Sequence, residues 1–194
     1  LNKLFLEVII ANGFESSAIK ILKAKKNLRL IDGTNYTSEE FLKFVSFNQN
    51  IMIQSEDLNL FSTKNFKIVS KRKPTSKQLK DLIFAFNVCR YVKSNAIVLA
   101  SNETTVGIGS GQPSRLDSCQ IAINKMKKFN LQNDNLVAAS DAFFPFVDGI
   151  EKLVQSGVRA VVQPSGSIRD KDIINFANET DTVLLFSKTR HFRH

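Results

Sequence analysis

The chain has 194 residues, a hydrophobic share of 43% and a charged share of 23%, which are ordinary values for a globular protein and argue against disorder. No apolar run approaches the roughly 20 residues that a membrane span requires. The net charge is +9, but the basic residues are mostly dispersed, with dense runs only at 71–73 and 125–128. A solvated basic surface, or a site for an acidic small substrate such as a nucleotide, explains this charge better than a groove for nucleic acid.

The first ten residues, LNKLFLEVII, lack the basic region and the cleavage site of a signal peptide. They also lack an initiating methionine and lead almost at once into a strand pattern, so we expect a piece of a longer protein. The two cysteines, Cys89 and Cys119, lie inside helical patterns and do not have metal-ligand spacing. Two buried thiols in a reducing compartment are the simplest interpretation.

Hydrophobic periodicity predicts the elements of the first part of the chain. We expect a strand at 5–10, a helix at 16–26, and strands at 28–31 and 51–54 joined by a polar connection. After Pro74, the sequence from Thr75 to Gln78 fits a capping box, which predicts a long helix to about residue 92.

The second part of the chain predicts an α/β sheet. The patterns indicate a hairpin at 96–100 and 105–109, a glycine-rich loop leading into a helix, a strand at 136–140, and a helix at 148–156 closed by Gly157. A strand at 159–163, a helix at 169–179 and a strand at 182–187 form a β-loop-α-β unit. Such a unit favours parallel pairing. We therefore predict one α/β domain preceded by a small partial subdomain.

Two loops have the composition of anion sites. In GIGSGQPSR, residues 107–115, alternate glycines would let the backbone approach a ligand, and Arg115 adds a forked donor for phosphate or carboxylate. The same glycines could merely reverse the chain. The spacing is neither a Rossmann fingerprint nor a Walker motif. PSGSIRD, residues 164–170, likewise places a glycine-containing loop between a strand and a helix, where an anion could bind. Ser167 could instead be only a helix cap.

The segment SDAFFPFVDGIE, residues 140–151, places three phenylalanines around Pro145. Two interpretations are open, a strand-to-helix turn in a core and the wall of a pocket for a flat molecule. Both histidines lie in the terminal TRHFRH, no nucleophile elbow occurs, and the spacings of a zinc deaminase are absent. A proton-transfer group is therefore not evident in this chain.

Five motifs carry a resemblance to a known family: YVKSNAIVLA, TVGIGSGQPSR, SDAFFPFVDGIE, QPSGSIRD and RHFRH. In order and spacing they resemble the bifunctional AICAR formyltransferase/IMP cyclohydrolase family of purine biosynthesis, in the second half of its formyltransferase domain. The resemblance runs from about Phe5 to His194. It implies a three-layer α-β-α fold with a mixed sheet and a cytidine-deaminase-like subdomain. Residues 1–70 would end the first formyltransferase subdomain, and residues 71–194 would form the second.

The resemblance implies transfer of a formyl group from the co-substrate 10-formyltetrahydrofolate to AICAR. The family's N-terminal cyclohydrolase domain and its catalytic Lys-His pair are not in this chain, so we expect the chain alone to bind poorly and to be inactive. The full-length protein would be a cytoplasmic homodimer with small-molecule substrates, and it would engage neither nucleic acid nor membrane. The alternative is a basic nucleotide- or RNA-binding α/β module without catalysis.

Eight residues of this chain match ligand contacts of the family. On the nucleotide side these are Asn95, Arg115, Phe143 and Arg190. On the folate side they are Leu116, Asp148, Ser167 and Ile168. Asn95 would also be catalytic, as a hydrogen-bond donor to the tetrahedral centre. Phe144 and Phe146 would belong to the hydrophobic core behind the wall of the ligand pocket.

Three departures from the family pattern bear on the site. Val147 stands where an arginine is usual, which removes a cation beside Asp148. Gln49-Asn50 replaces a glycine pair, and PSGS at 164–167 stands where bacterial relatives often have PGGS. The family can hold a structural potassium ion near the KSN motif and the C terminus. Val92 and Ala96 occupy positions where side-chain oxygens can ligate this ion, so the resemblance leaves open whether this chain binds potassium.

Overall fold

A computed structural model describes residues 5–37, 42–128 and 135–194. The chain divides into two compact units, Leu1–Glu56 and Asp57–His194. Within the described ranges, no helix combines the length and the apolar character needed to cross a membrane.

The first unit contains two small sheets. Its elements are β1 (Val8–Ala11), α1 (Ser16–Leu22), β2 (Arg29–Asp32), β3 (Leu42–Phe47) and β4 (Asn50–Ser55). β1 and β2, which precede and follow α1 in the sequence, pair in parallel, and β3 and β4 form an antiparallel hairpin. The prediction of a polar connection before residue 51 was wrong, because β3 lies there. The helix is also shorter than predicted and ends at Leu22.

The second unit holds most of the secondary structure. Its helices are a short 3-10 turn (Thr63–Asn65), α2 (Ser76–Cys89), α3 (Arg115–Lys128), α4 (Val147–Gln155) and α5 (Asp170–Glu179). Its strands are β5 (Phe66–Ile68), β6 (Ile97–Ser101), β7 (Thr104–Gly109), β8 (Val137–Ser140), β9 (Ala160–Pro164) and β10 (Val183–Ser187).

These strands form one six-stranded mixed sheet in the order β5-β10-β9-β8-β6-β7. The β9–β10 and β8–β9 pairs are parallel, whereas β6–β7, β6–β8 and β5–β10 are antiparallel. The predicted hairpin and the predicted parallel β-loop-α-β unit are both confirmed. β5 was not predicted from the sequence, and it places residues 66–68 in the sheet of the second unit.

Helices cover both faces of this sheet, which confirms the three-layer α/β architecture. Ile97 and Leu99 of β6 belong to one buried cluster with residues of α3, α4 and α5, whereas Val98 and Ala100 belong to the other cluster with α2. This alternation is the period of two expected for a strand buried on both sides.

The start of α2 follows the predicted capping box. The Gln78 backbone N–H donates to the Thr75 hydroxyl at 3.1 Å, and the Thr75 N–H donates to the Gln78 side-chain oxygen at 3.0 Å. Two backbone donors at the helix start are thus satisfied reciprocally. The helix begins at Ser76, as its sequence predicts.

Candidate functional site

A cavity of about 430 Å³ opens at one edge of the six-stranded sheet. β8 runs antiparallel to β6, so the end of β8 and the start of β6 lie at the same edge. The loops at this edge, the starts of α3 and α4, and the C-terminal tail form the walls. Six of the eight predicted site residues line the cavity: Asn95, Arg115, Leu116, Phe143, Asp148 and Arg190.

The other two predicted residues, Ser167 and Ile168, are not in the wall of this cavity. Ile168 is fully exposed. The carboxylate of Asp170 accepts the backbone N–H of Gly166 at 2.8 Å and that of Ser167 at 3.2 Å. The amides of this loop therefore bind the chain's own carboxylate, which argues against the predicted anion site at PSGSIRD.

The glycines of GIGSGQPSR serve packing. A Cβ atom on Gly107 would lie 2.2 Å from the carbonyl oxygen of Ala122, and one on Gly109 would lie 1.9 Å from that of Ser118. Both contacts are with the backbone of α3, so these two glycines let α3 lie directly on β7. Gly111 has φ +68° and turns the chain before α3. Only the last residues of this motif reach the cavity.

Arg115 lies at the base of the cavity with 8% of its surface exposed. Its Nη1 forms an ion pair with the fully buried carboxylate of Asp141 and donates to the Ser140 hydroxyl at 3.1 Å. Its Nη2 donates to the Asn95 side-chain oxygen at 2.8 Å. A guanidinium has five N–H donors. These three bonds hold it in one orientation, and its other two N–H donors form no hydrogen bond within the described part of the chain.

Asn95 precedes β6, and the Ser94–Asn95 peptide bond is cis. Its Nδ2 donates to the carbonyls of Gln112 at 2.9 Å and Pro113 at 3.1 Å. An amide that donates both protons internally cannot also donate to a ligand. The predicted role of Asn95 as a catalytic donor therefore requires one of these bonds to open.

The phenylalanine segment uses its three rings in three ways. Phe143 is half-buried in the cavity wall, and Phe144 is buried in the core. A Cβ atom on Gly149 would lie 2.7 Å from the Phe144 ring, so this glycine lets the ring lie against α4. Phe146 was expected in the core, but it lies at the N-terminal end of α4 and is 53% exposed. Its ring lies under Arg169, whose guanidinium carbon is 5.0 Å from the ring centroid.

The C-terminal tail is held in place by His191. This side chain is 1% exposed and packs against the rings of Phe61 and Phe86. Its Nδ1 bonds to the carboxylate of Asp57, and its backbone N–H donates to the Asp141 carbonyl at 2.9 Å. Burial lowers the pKa of His191, and the bond to Asp57 opposes this shift. Anchoring here places the neighbouring Arg190 and Phe192 in the cavity wall.

The charges of the cavity suit a ligand with anionic and polar groups. Arg190 is exposed and forms no ion pair within the described part of the chain, and Asp148 is exposed in the first turn of α4. Among the described residues, no histidine, lysine or cysteine lines the cavity, so these wall residues include no ready group for proton transfer near neutral pH. The described wall residues can therefore bind and orient a ligand.

Metal ligation has little support in the described ranges. Across residues 5–37, 42–128 and 135–194, no group of three or more His, Cys, Asp or Glu side chains could hold a metal ion. Val92 and Ala96 are buried in the apolar cluster beside α2. Their side chains carry no oxygen that could ligate a potassium ion.

Sequence reasoning missed three contributors. The sequence predicts no role for Asp141, yet it is the buried partner of Arg115, 26 residues away in the chain. Phe192 lines the cavity as the aromatic residue of RHFRH, and Arg169 reaches the wall through Phe146. The phenylalanine placed between the terminal basic residues was the signal for Phe192, whereas no local pattern marks the other two.

Comparison with known proteins agrees with the resemblance. Residues 1–125 match the model of the family described as AICARFT/IMPCHase bienzyme. Three similar proteins are each named bifunctional purine biosynthesis protein PurH. That of Buchnera aphidicola is 46% identical over 194 residues, covering 99% of this chain and 37% of the relative. That of Persephonella marina is 42% identical over 196 residues, covering 100% and 38%. That of Leuconostoc mesenteroides is 47% identical over 195 residues, covering 100% and 38%.

The chain thus spans little more than a third of the length of these relatives. Within that span the identity is 42–47%, over 99–100% of this chain. The chain belongs to the AICARFT/IMPCHase bienzyme family.

Proposed function

We propose that this chain is the second half of the formyltransferase domain of a bifunctional purine-biosynthesis enzyme. The enzyme transfers a formyl group from 10-formyltetrahydrofolate to AICAR, and a separate domain of the full-length protein carries IMP cyclohydrolase activity. The observation that carries the proposal is the cavity at the sheet edge, whose wall contains Asn95, Arg115, Leu116, Phe143, Asp148 and Arg190. Family membership supplies the reaction.

The nucleotide side of the proposed site is formed by cations and one aromatic wall. Arg115 offers its two remaining N–H donors, and Arg190 offers an exposed guanidinium to the anionic part of AICAR. The half-buried ring of Phe143 packs against the flat aminoimidazole, which loses little conformational entropy on binding. Asn95 holds Arg115 through its side-chain oxygen.

The folate side is formed by Leu116 and Asp148. Leu116 gives an apolar contact at the start of α3, and the exposed carboxylate of Asp148 accepts hydrogen bonds from the polar edge of the pterin. Ser167 and Ile168, on the loop after β9, would complete this side from outside the cavity wall. The loop reaches the wall through the contact of Arg169 with Phe146.

In the proposed reaction the amine of AICAR attacks the formyl carbon, and the resulting tetrahedral centre collapses as the folate nitrogen leaves. The amine is a weak nucleophile, so the site must act by bringing the two reactants together and by stabilising the charge that develops. The residues of this chain bind and orient both reactants. The proton is handled by the family's Lys-His pair, which lies outside this chain. We therefore propose that the isolated chain is inactive.

The full-length enzyme is proposed to be a cytoplasmic homodimer, with active sites formed between subunits. In this scheme residues 1–70 end the first formyltransferase subdomain and residues 71–194 form the second. Light scattering of the full-length protein gives the oligomeric state. An active monomer would overturn the proposal that the sites form between subunits.

The test of the proposed function is a formyl-transfer assay of the full-length protein with AICAR and 10-formyltetrahydrofolate. We expect activity in the wild type and its loss in Arg115→Ala. An inactive wild type that instead binds RNA, with an affinity that falls steeply as salt increases, would favour the nucleic-acid alternative.

A further inference from the structure

Two arginines lie on phenylalanine rings at the cavity. The guanidinium carbon of Arg190 is 5.5 Å from the centroid of Phe192, and that of Arg169 is 5.0 Å from the centroid of Phe146. Both rings belong to the cavity wall. Arg190 matches a nucleotide contact of the family, whereas no role has been assigned to Arg169.

Arg169 lies at the rim of the cavity, because its guanidinium packs on Phe146, a wall residue that is 53% exposed. The Arg169 N–H donates to the Ser167 hydroxyl at 3.1 Å, and the loop before it is braced by Asp170. The side chain of Arg169 is 54% exposed, and its ion partner Asp172 is 52% exposed at 3.6 Å. A solvent-exposed pair at that distance is weak, so an anionic ligand can replace Asp172.

We propose that Arg169 binds the carboxylates of the acidic glutamate tail of the folate co-substrate, an inference that rests on the proposed function. A folate joins a flat pterin to this tail. The pterin would lie in the cavity beside Leu116 and Asp148, so the tail must leave through the mouth. There Arg169 offers a planar fork of N–H donors that fits a carboxylate, and the Phe146 ring holds the fork in place.

The position of Arg169 in the chain favours the folate over the nucleotide. It directly follows Ser167 and Ile168, which are assigned to the folate side. The nucleotide side already has Arg115 and Arg190. Arg169 thus adds a positive charge to the folate side, where the other charged residue is the exposed, acidic Asp148.

The test compares Arg169→Gln with Lys171→Gln in the full-length enzyme. Lys171 is exposed on the first turn of α5, so the two variants lose the same charge from neighbouring positions. KM is measured for AICAR, for 10-formyltetrahydrofolate and for 10-formyltetrahydropteroate, which lacks the glutamate. Direct binding of tetrahydrofolate and tetrahydropteroate is measured by calorimetry as a readout independent of turnover.

We expect Arg169→Gln to raise KM and Kd about tenfold for the glutamate-bearing compounds, as for loss of a charge-assisted hydrogen bond. The glutamate-free compounds and AICAR should change less than about twofold, and Lys171→Gln should resemble the wild type. The proposal is overturned by an equal rise for both folate forms, by a rise confined to AICAR, by no change, or by equal effects of the two variants. An inactive wild type would overturn the proposed function itself.

Discussion

Arg115 and Asp141 form an ion pair at the base of the cavity in which the carboxylate is fully buried and the guanidinium nearly so. The backbone of Asp141 accepts the N–H of His191 at 2.9 Å, and its second carboxylate oxygen accepts the hydroxyl of Ser94. One carboxylate residue therefore connects the segment before β6, the start of α3 and the C-terminal tail. Because both groups are buried, removing either one would leave the other as an uncompensated buried charge.

Replacing Arg115 should cost stability as well as activity. Arg115→Met leaves the Asp141 carboxylate buried without its partner, which we expect to lower the free energy of unfolding by about 3–5 kcal/mol. Arg190→Met is the matched control, because Arg190 is exposed and should change stability by less than about 0.5 kcal/mol. Urea denaturation followed by circular dichroism measures both. Equal stabilities for the two variants would contradict a structural role of the buried pair.

Neutralising Asp141 should rescue part of that loss. In Arg115→Met/Asp141→Asn the unpaired charge is gone, while the amide oxygen of Asn can still accept the Ser94 hydroxyl. Since the main cost of Arg115→Met is a buried uncompensated charge, the double variant should regain about half of the lost stability. A double variant less stable than Arg115→Met would show that the cost has another source.

His191 should make stability depend on pH. Because burial lowers its pKa in the folded protein, the unfolded chain binds the proton at a higher pH than the folded chain does. The contribution of His191 is therefore fully present above the unfolded pKa of about 6.5 and is lost as the pH falls below it. His191→Phe keeps an aromatic side chain and removes this titration.

The measurement is the free energy of unfolding from pH 7.5 to 5.5 for the wild type and His191→Phe. We expect the wild type to lose stability more steeply on acidification than the variant does. Parallel curves would mean that His191 does not titrate differently in the two states.

Gly109 should tolerate no side chain. The Cβ of alanine would lie 1.9 Å from the Ser118 carbonyl oxygen, so α3 would have to move off β7. We expect Gly109→Ala to cost about 3 kcal/mol or more, at the upper end of overpacking effects. Gly157→Ala is the control. Its φ is +102°, and apart from the adjoining residues no described atom would lie within 4 Å of an added Cβ, so it should cost only the backbone strain of about 1–2 kcal/mol. A smaller loss for Gly109→Ala than for Gly157→Ala would refute the packing role.

Both cysteines should be unreactive in the folded protein. Cys89 and Cys119 are free and buried. Burial raises the pKa of Cys119 to about 12 and that of Cys89 well above its ordinary value. Thiolate is the reactive form, so we expect no reaction with a disulfide reagent at pH 8 until the protein is denatured, when two thiols should react. Rapid modification of the native protein would contradict this burial.

The elements with strong local signals were predicted well from the sequence. The capping box at Thr75 and Gln78 and the hairpin at β6–β7 depend on residues a few positions apart, and the β9–α5–β10 unit follows from periodicity and chain handedness. β5 was missed because three residues carry no periodicity. β3 was missed within a stretch interpreted as polar, although its residues pair with β4 in a regular hairpin.

The residues of the candidate site were predicted only in part. The motifs placed six residues that the fold does bring to one cavity, but the same motifs suggested anion-binding glycines and a buried Phe146. Gly107 and Gly109 turned out to face α3, and the loop amides before α5 turned out to bind Asp170. Local composition cannot distinguish a glycine that approaches a ligand from one that approaches a helix, because both need the same absence of a side chain.

The amino-acid sequence alone determined the family, the order of the principal elements and the residue types available at the cavity, since these depend on motifs and on periodicity over short spans. Only the tertiary structure decided that Arg115 meets Asp141, that Phe144 is buried while Phe146 lies open under Arg169, and that His191 anchors the tail. The physical reason is that burial and charge pairing depend on which distant segments pack together, and that is a property of the whole fold.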